Sequence, residues 1–271
     1  MEIFTYPFMQ KAFLVGILLA LIIPCIGQVM VLRRLSMIGD ALSHSALAGV
    51  SAGLLMGINP VAGAIAACVI ASLGIEAIRR RLPRQAELAI AVVMSAGIGI
   101  AGLLSGFIKN SVSFSSFLFG SIVAISDLET LLVVIVSAAV LITFVLFYNA
   151  LFFITLDEHS ARLSGVPVSA INFVFTILTA VTVSVSSRTV GALIVSSLMV
   201  IPVACGLKIG RSFKSTLLWS IGFSLFFMLS GLFLSYYLGL RPGGTIVLTG
   251  ILTLVVILIA TSFGRHGRKG A

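Results

Sequence analysis

The sequence predicts an all-α integral membrane protein, a polytopic bundle of about nine transmembrane helices forming one domain over residues 1–271. Three observations predict it. The chain is 59% hydrophobic and only 9% charged, whereas a soluble domain carries roughly 25% charged residues. Its mean hydropathy is +1.24, which leaves too little polar surface to coat a water-soluble globule. The apolar residues also come in long unbroken runs, each close to the roughly 20 residues a helix needs to cross a bilayer. A barrel would instead alternate over segments of about ten residues.

On that ruler the candidate spans run 8–32, 39–57, 60–78, 87–108, 128–148, 171–187, 189–206, 215–238 and 245–263. The sixth and seventh are short and meet near Arg188, so a count of eight also fits. The first run is too long, and lacks the basic leading segment, for a cleavable signal peptide. Gly97, Gly99, Gly102 and Gly106 line the fourth run, where small residues let helices approach closely in lipid. Residues 110–127 are semi-polar and too short to cross twice, which suggests a re-entrant or interfacial helix. Gly191 and Pro202 can bend or open the seventh span, and Ser196 and Ser197 can satisfy backbone groups freed there.

Charge sets the expected orientation. With the N-terminus outside and the C-terminus in the cytoplasm, the cytoplasmic side holds Arg33, Arg34, Arg79, Arg80, Arg81, Arg84, Arg162, Lys208, Arg211, Lys214, Arg265, Arg268 and Lys269. The other side holds only Lys11, Lys109, Arg188 and Arg241. That division, 13 against 4 of the 17 basic residues, follows the positive-inside rule. It also explains the net charge of +9 without invoking nucleic acid. The three cysteines, Cys25, Cys68 and Cys205, stand singly in apolar segments with no C-x-x-C spacing. They read as small buried hydrophobes rather than a metal ribbon or a disulfide framework.

Two polar features stand out. Asp40 and His44 lie four residues apart in the second span, which puts them on one helical face about 6 Å apart. Ionisable residues inside a span mark a functional site by default. Three explanations fit the pair: polar glue between helices, a proton relay, or a metal site, since carboxylate and imidazole suit Zn²⁺ and Mn²⁺. Two ligands are too few for a stable site, and a second copy of the chain related by two-fold symmetry would supply two more. At about 1.5 Å per residue Asp40 is only about 10 Å beyond Arg34. The pair therefore falls toward the cytoplasmic side unless the start of the helix is sunk in the bundle or its boundary lies elsewhere.

The second feature, TLDEHSARLSGVP at 155–167, is the most polar internal stretch. It reads as a short cytoplasmic helix, with Asp157 as cap, an acidic first turn and Gly165 near its end. A lone Met94 in the fourth span reads as core packing before a soft contact on a path. No Walker A motif and no hydrolase, zincin or kinase signature is present. The chain thus carries no nucleotide-binding engine of its own, and transport would draw on a partner or an ion gradient. No second catalytic motif accompanies Asp40 and His44, so an intramembrane enzyme finds no support.

Four stretches, in order, resemble the zinc/manganese permease family, the membrane subunits of binding-protein-dependent ABC transporters for divalent metals. They are SMIGDALSHSALAGV (36–50), LFGSIVAIS (118–126), LDEHSARLSGVPV (156–168) and TVGALIVSSLMVIPVA (189–204). The resemblance implies a homodimeric permease in a bacterial plasma membrane, not itself an enzyme. It would work with cytoplasmic ABC ATPase subunits and an extracytoplasmic metal-binding protein. No permanent cofactor is implied; the cargo would be zinc, alternatively manganese or iron. Asp40 and His44 match the family's acidic and histidine positions, so metal contact is implied for them. Asp157, Glu158, His159, Arg162 and Gly165 fall in the stretch implied to dock on the ATPase as a coupling helix. YPFMQKAFL and LKIGRSFKS are similar to zinc permeases of Gram-positive type. Met94 stands where some zinc permeases have histidine, and Gly239 where many members have an acid. From another class, a proton-coupled secondary transporter would use Asp40 and His44 as a relay.

Overall fold

The computed structural model describes residues 6–82, 85–108 and 125–266, and every element in them is helical. The helices are α1 (Pro7–Leu32), α2 (Ile38–Met56), α3 (Pro60–Arg81), α4 (Ala86–Ser105), α5 (Asp127–Leu146), α6 (Tyr148–Leu156), α7 (Glu158–Leu163), α8 (Val168–Ser186), α9 (Ala192–Ile209), α10 (Phe213–Leu238) and α11 (Pro242–His266), with a π-turn at Ser187–Gly191 between α8 and α9. Each of the nine apolar runs holds one helix. Among the described residues seven helices are long and apolar enough to cross a membrane: α1, α3, α4, α5, α8 with its π-turn, α10 and α11. The apolar part of α9 is shorter. Most of the re-entrant segment expected at 110–127 lies outside the described residues.

The element boundaries follow local chemistry. Pro7, Pro60 and Pro242 open α1, α3 and α11, where the missing N–H costs nothing and φ is already set. Ser126 and Glu129 form a reciprocal capping box at the start of α5, which satisfies two otherwise orphaned donors. Gly57 and Gly239 close α2 and α10 in the left-handed region, where a Cβ is costly. This backbone role accounts for a glycine at 239 in place of an acid.

α1 ends differently. Leu35 N–H donates to Met30 O and Arg34 N–H to Val31 O, the paired bonds of a Schellman turn. Its left-handed position is occupied by Arg34, at φ 59°, where glycine is usual. Leu35, next in the chain, is buried against the core. The turn between α1 and α2 is thus short and fixed. α7 closes with the same motif, Val166 N–H to Ala161 O and Gly165 N–H to Arg162 O, here with the expected glycine at φ 83°.

α5 does not stop at its predicted end. After a one-residue joint at Phe147 it resumes as α6, because NALFFITL remains apolar up to Asp157. At the other end of α8 the chain does not form a loop near Arg188 but a π-turn, ending at Gly191 with φ 112°. Such turns leave backbone groups irregular and tend to sit at functional positions. Pro202 lies inside α9.

Packing divides the bundle into two sets. α2 lies against α3 and α4, while α1, α9, α10 and α11 pack together. α9 also touches α2, and α8 bridges α3 and α5. α1 is the most enclosed of the long helices, and α4 and α11 the most peripheral. One close approach occurs at the α2–α3 crossing. A Cβ on Gly49 would stand 2.6 Å from Ala67 Cβ and 2.8 Å from the Gly63 carbonyl carbon, and Gly63 faces Gly49 reciprocally. Two glycines facing each other let these backbones touch. All three cysteines are free and buried, as expected of small hydrophobes, and Met94 packs against the core.

Candidate functional site: a carboxylate–imidazole pair at mid-bundle

α2 begins without a side-chain cap and carries Asp40 in its first turn. From Ile38 to Val50 every α2 residue is buried except Asp40 and His44, which are half-buried. The helix is therefore closed on all sides but one, and the open stripe is the pair at i and i+4. Among the described residues neither side chain makes a hydrogen bond or ion pair, and no cluster of three or more His, Cys, Asp and Glu forms. A polar pair serving only to glue helices would be engaged with its neighbours. These two are not.

The depth of the pair differs from the sequence estimate. Gly39 packs on Ser196 and Met199 of α9. Cys68 Sγ of α3 donates to Leu42 O. Gly97 of α4 sits against His44 and Ser45, where an added Cβ would lie 3.1 Å from the His44 carbonyl carbon. At 1.5 Å per residue, Cys68 is about 12 Å from the start of α3 and Gly97 about 16 Å from the start of α4, both near mid-helix. The first turn of α2 is thus sunk into the bundle, and Asp40 and His44 lie at middle depth rather than at one face. Of the two outcomes left open by the spacing from Arg34, the recessed helix is the one found.

The second group of predicted residues forms the end that contains α7. Asp157 caps α7: its Oδ1 accepts from His159 N–H at 2.9 Å, and Ser160 Oγ donates to Oδ2. The Ser160 hydroxyl first, then the backbone N–H groups, hold the Asp157 carboxyl below the usual carboxylate range. Glu158 turns inward instead. Its Oε2 accepts from Arg33 Nη2 at 2.9 Å and from Arg79 Nη1 at 3.4 Å, and its Oε1 from Arg162 Nη2 at 3.4 Å. Arg33 also donates through Nη1 to Asn172 Oδ1 at 2.9 Å. Arg79 is held in turn by both oxygens of Glu76. Burial, aided by Arg79 and opposed by Glu158, pulls the Arg33 guanidinium below its ordinary range. A cleft of about 670 Å³ opens beside this network, lined by Glu76, Arg79, Glu158, His159, Arg162 and Asn172 among others.

Charges at the opposite end pair among themselves. Lys11 meets Asp127, and Arg188 Nε donates to Glu129 Oε1 at 2.7 Å. Among the described residues, Arg33, Arg79, Arg80 and Arg162, counted to one side, and Lys11 and Arg188, counted to the other, join ion pairs at opposite ends of the bundle. Sequence reasoning missed Arg33 and Arg79 as partners of Glu158, and Asn172 as a partner of Arg33. It registered the arginines only as bulk positive charge, although Glu76, Arg79 and Arg80 at i, i+3 and i+4 were a visible ion-pair pattern.

A many-helix apolar bundle, with an unpartnered carboxylate and imidazole at middle depth and a charged short helix at one end, defines a multi-pass membrane transport protein. The chain belongs to the ABC 3 transport family, whose model matches residues 5–261. It is 36% identical over 262 residues to a probable metal transport system membrane protein of Treponema pallidum, covering 96% of this chain and 98% of that one. It is 29% identical to the high-affinity zinc uptake system membrane protein ZnuB of Haemophilus influenzae (91% and 95% covered) and 28% identical to the manganese import system permease protein ScaB of Streptococcus gordonii (93% and 90%). Among solved structures, PsaBC from Streptococcus pneumoniae in complex with Fab aligns with a TM-score of 0.83 at 26% identity, covering 94% of this chain and 92% of that chain.

Proposed function

We propose that this chain is the membrane permease of a binding-protein-dependent ABC importer for a divalent metal, with zinc as the cargo. The observation that carries the reading is the Asp40–His44 stripe, the one opening along the first thirteen residues of a buried helix. It stands in a chain whose relatives are named for zinc and manganese. In this reading nine spans cross the bilayer with the N-terminus outside, so the α7 end faces the cytoplasm and the Arg188–Glu129 end faces outward.

The proposed cycle uses this chain's residues as follows. A binding protein delivers the ion to the outer end of a homodimer. Asp40 Oδ and a neutral His44 nitrogen from each copy surround it at middle depth. Each copy offers only two ligands, so the ion is held and released rather than stored. Protons compete for both groups, since ligands must be deprotonated. α7, presenting Asp157, His159, Arg162 and Gly165 on its exposed side, docks on the ATPase subunit, whose ATP cycle switches the open end. A manganese cargo would use the same atoms. A proton-coupled carrier would use Asp40 and His44 without any ATPase.

Cellular metal content in chelator-limited medium tests the proposal. Deletion of the gene lowers zinc, the intact chain restores it, and His44→Ala does not. A fall in manganese or iron instead retains the permease and overturns the cargo. Full rescue by His44→Ala removes that residue from the site, and uptake that persists without any ATPase overturns the ABC reading.

A further inference from the structure

α7 is held to the bundle by little. Of its six residues only Ala161 is buried. The other inward attachment is Glu158, whose carboxylate reaches arginines from two different helices, Arg33 after α1 and Arg79 near the end of α3. The Arg33 side chain is 9% exposed and that of Arg79 16%, so both forks work in a partly dehydrated setting where charge-assisted bonds are strong and directional. Arg33 divides its guanidinium between Glu158 and Asn172 of α8. A lysine cannot reproduce that planar two-way contact.

What Arg33 is attached to matters as much. It adjoins Arg34, the left-handed residue of the Schellman turn, and Leu35, whose side chain is buried. Three residues later α2 begins, and Asp40 is in its first turn. No slack loop separates the guanidinium from the helix that bears the open pair.

We infer that Glu158, Arg33 and Arg79 form a latch that makes α7 and the α1–α2 turn move as one body, so that a displacement of α7 reaches the Asp40–His44 helix. Arg33 and Arg79 are positioning residues, acting through Glu158 and the turn and not on the cargo. Arg79 extends the same grip to α3, which packs on α2 through the Gly49–Gly63 crossing. The latch rests on the reading of α7 as the ATPase-docking helix.

The test uses the whole importer, permease with its ATPase subunits, in lipid. Spin labels go on two exposed positions, Met37→Cys in the turn and Leu163→Cys on α7, with Cys25, Cys68 and Cys205 replaced by alanine. The wild-type distance is expected to stay within about 2 Å between nucleotide-free and ATP-trapped states, the scale of a helix shift. In Glu158→Gln and in Arg33→Lys the distribution broadens or splits. Metal moved per ATP falls about fivefold or more in each, and the double variant falls no further, as expected of one shared contact. A wild-type distance that changes by about one helical turn, roughly 5 Å, overturns the latch. So does a wild-type transport ratio in Glu158→Gln. If the intact importer moves no divalent metal, the functional reading fails, while the distance measurement, which needs no metal, still decides the latch.

Discussion

Replacing Gly49 by alanine tests how the α2–α3 contact holds the pair in place. The new Cβ would stand 2.6 Å from Ala67 Cβ and 2.8 Å from the Gly63 carbonyl carbon, against a normal carbon–carbon separation of about 3.5–4.0 Å. No flexible side chain end is available to yield, so the helices must part by about 1 Å. Overpacking of this kind costs about 1–3 kcal/mol, offset by up to about 1 kcal/mol of better helix propensity. A net loss of about 1–2 kcal/mol lowers the apparent unfolding midpoint by about 2–8 °C, at roughly 2–4 °C per kcal/mol for a chain of this size. The chain supplies its own reporter: Cys25, Cys68 and Cys205 are all buried, so a fluorogenic thiol reagent brightens only on unfolding. The control is Gly222→Ala on α10, where nothing described lies within 4 Å of the added carbon and the midpoint is expected to hold or rise. An unchanged midpoint in Gly49→Ala, or an equal fall in Gly222→Ala, would refute the reasoning.

Other outcomes follow from particular contacts. Arg34→Gly relieves a left-handed residue that costs about 1–2 kcal/mol, part of which glycine's greater unfolded freedom takes back; the same thiol assay should show a small rise, and a fall would contradict the strain. Glu129→Gln removes the negative charge from the Glu129–Arg188 contact at a site only 9% exposed on the glutamate side and 27% on the arginine side; a loss of about 1–3 kcal/mol is expected, below the cost of a fully buried pair, and partial recovery in the double variant with Arg188→Gln. The Asp157 carboxyl titrates below its unfolded range because Ser160 and the His159 N–H bind its charged form. The cap on α7 is therefore complete above the unfolded carboxylate pKa and is lost as pH falls through the lower folded value. Amide exchange at His159, corrected for intrinsic rate, should quicken in that acidic window and lose its pH dependence in Asp157→Ala.

Much of this architecture was legible because apolar run length is a strong, local signal. Each of the nine runs contains a helix, and the polar stretch after Leu156 forms the short capped helix that Asp157 and Gly165 announce. The pair at 40 and 44 was visible by its chemistry against an apolar background. Its depth was not. Counting residues from Arg34 cannot show that Gly39, Leu42 and His44 meet α9, α3 and α4 near their middles, since those contacts join residues far apart in sequence. The role of Glu158 was hidden for the same reason: its partners lie 125 and 79 residues away. The extension of α5 into α6 was missed because an apolar run that continues past one span length looks the same as a loop edge.

The recessed start of α2 has an electrostatic consequence for anything that binds there. A helix N-terminus carries about half a positive elementary charge, and here that end lies beside Asp40 in the first turn of α2. A cation arriving at the carboxylate therefore meets roughly half of its negative charge already answered by the backbone. Under the proposed function, the helix that presents Asp40 also loosens its hold, a setting suited to passing an ion onward and poorly suited to keeping one.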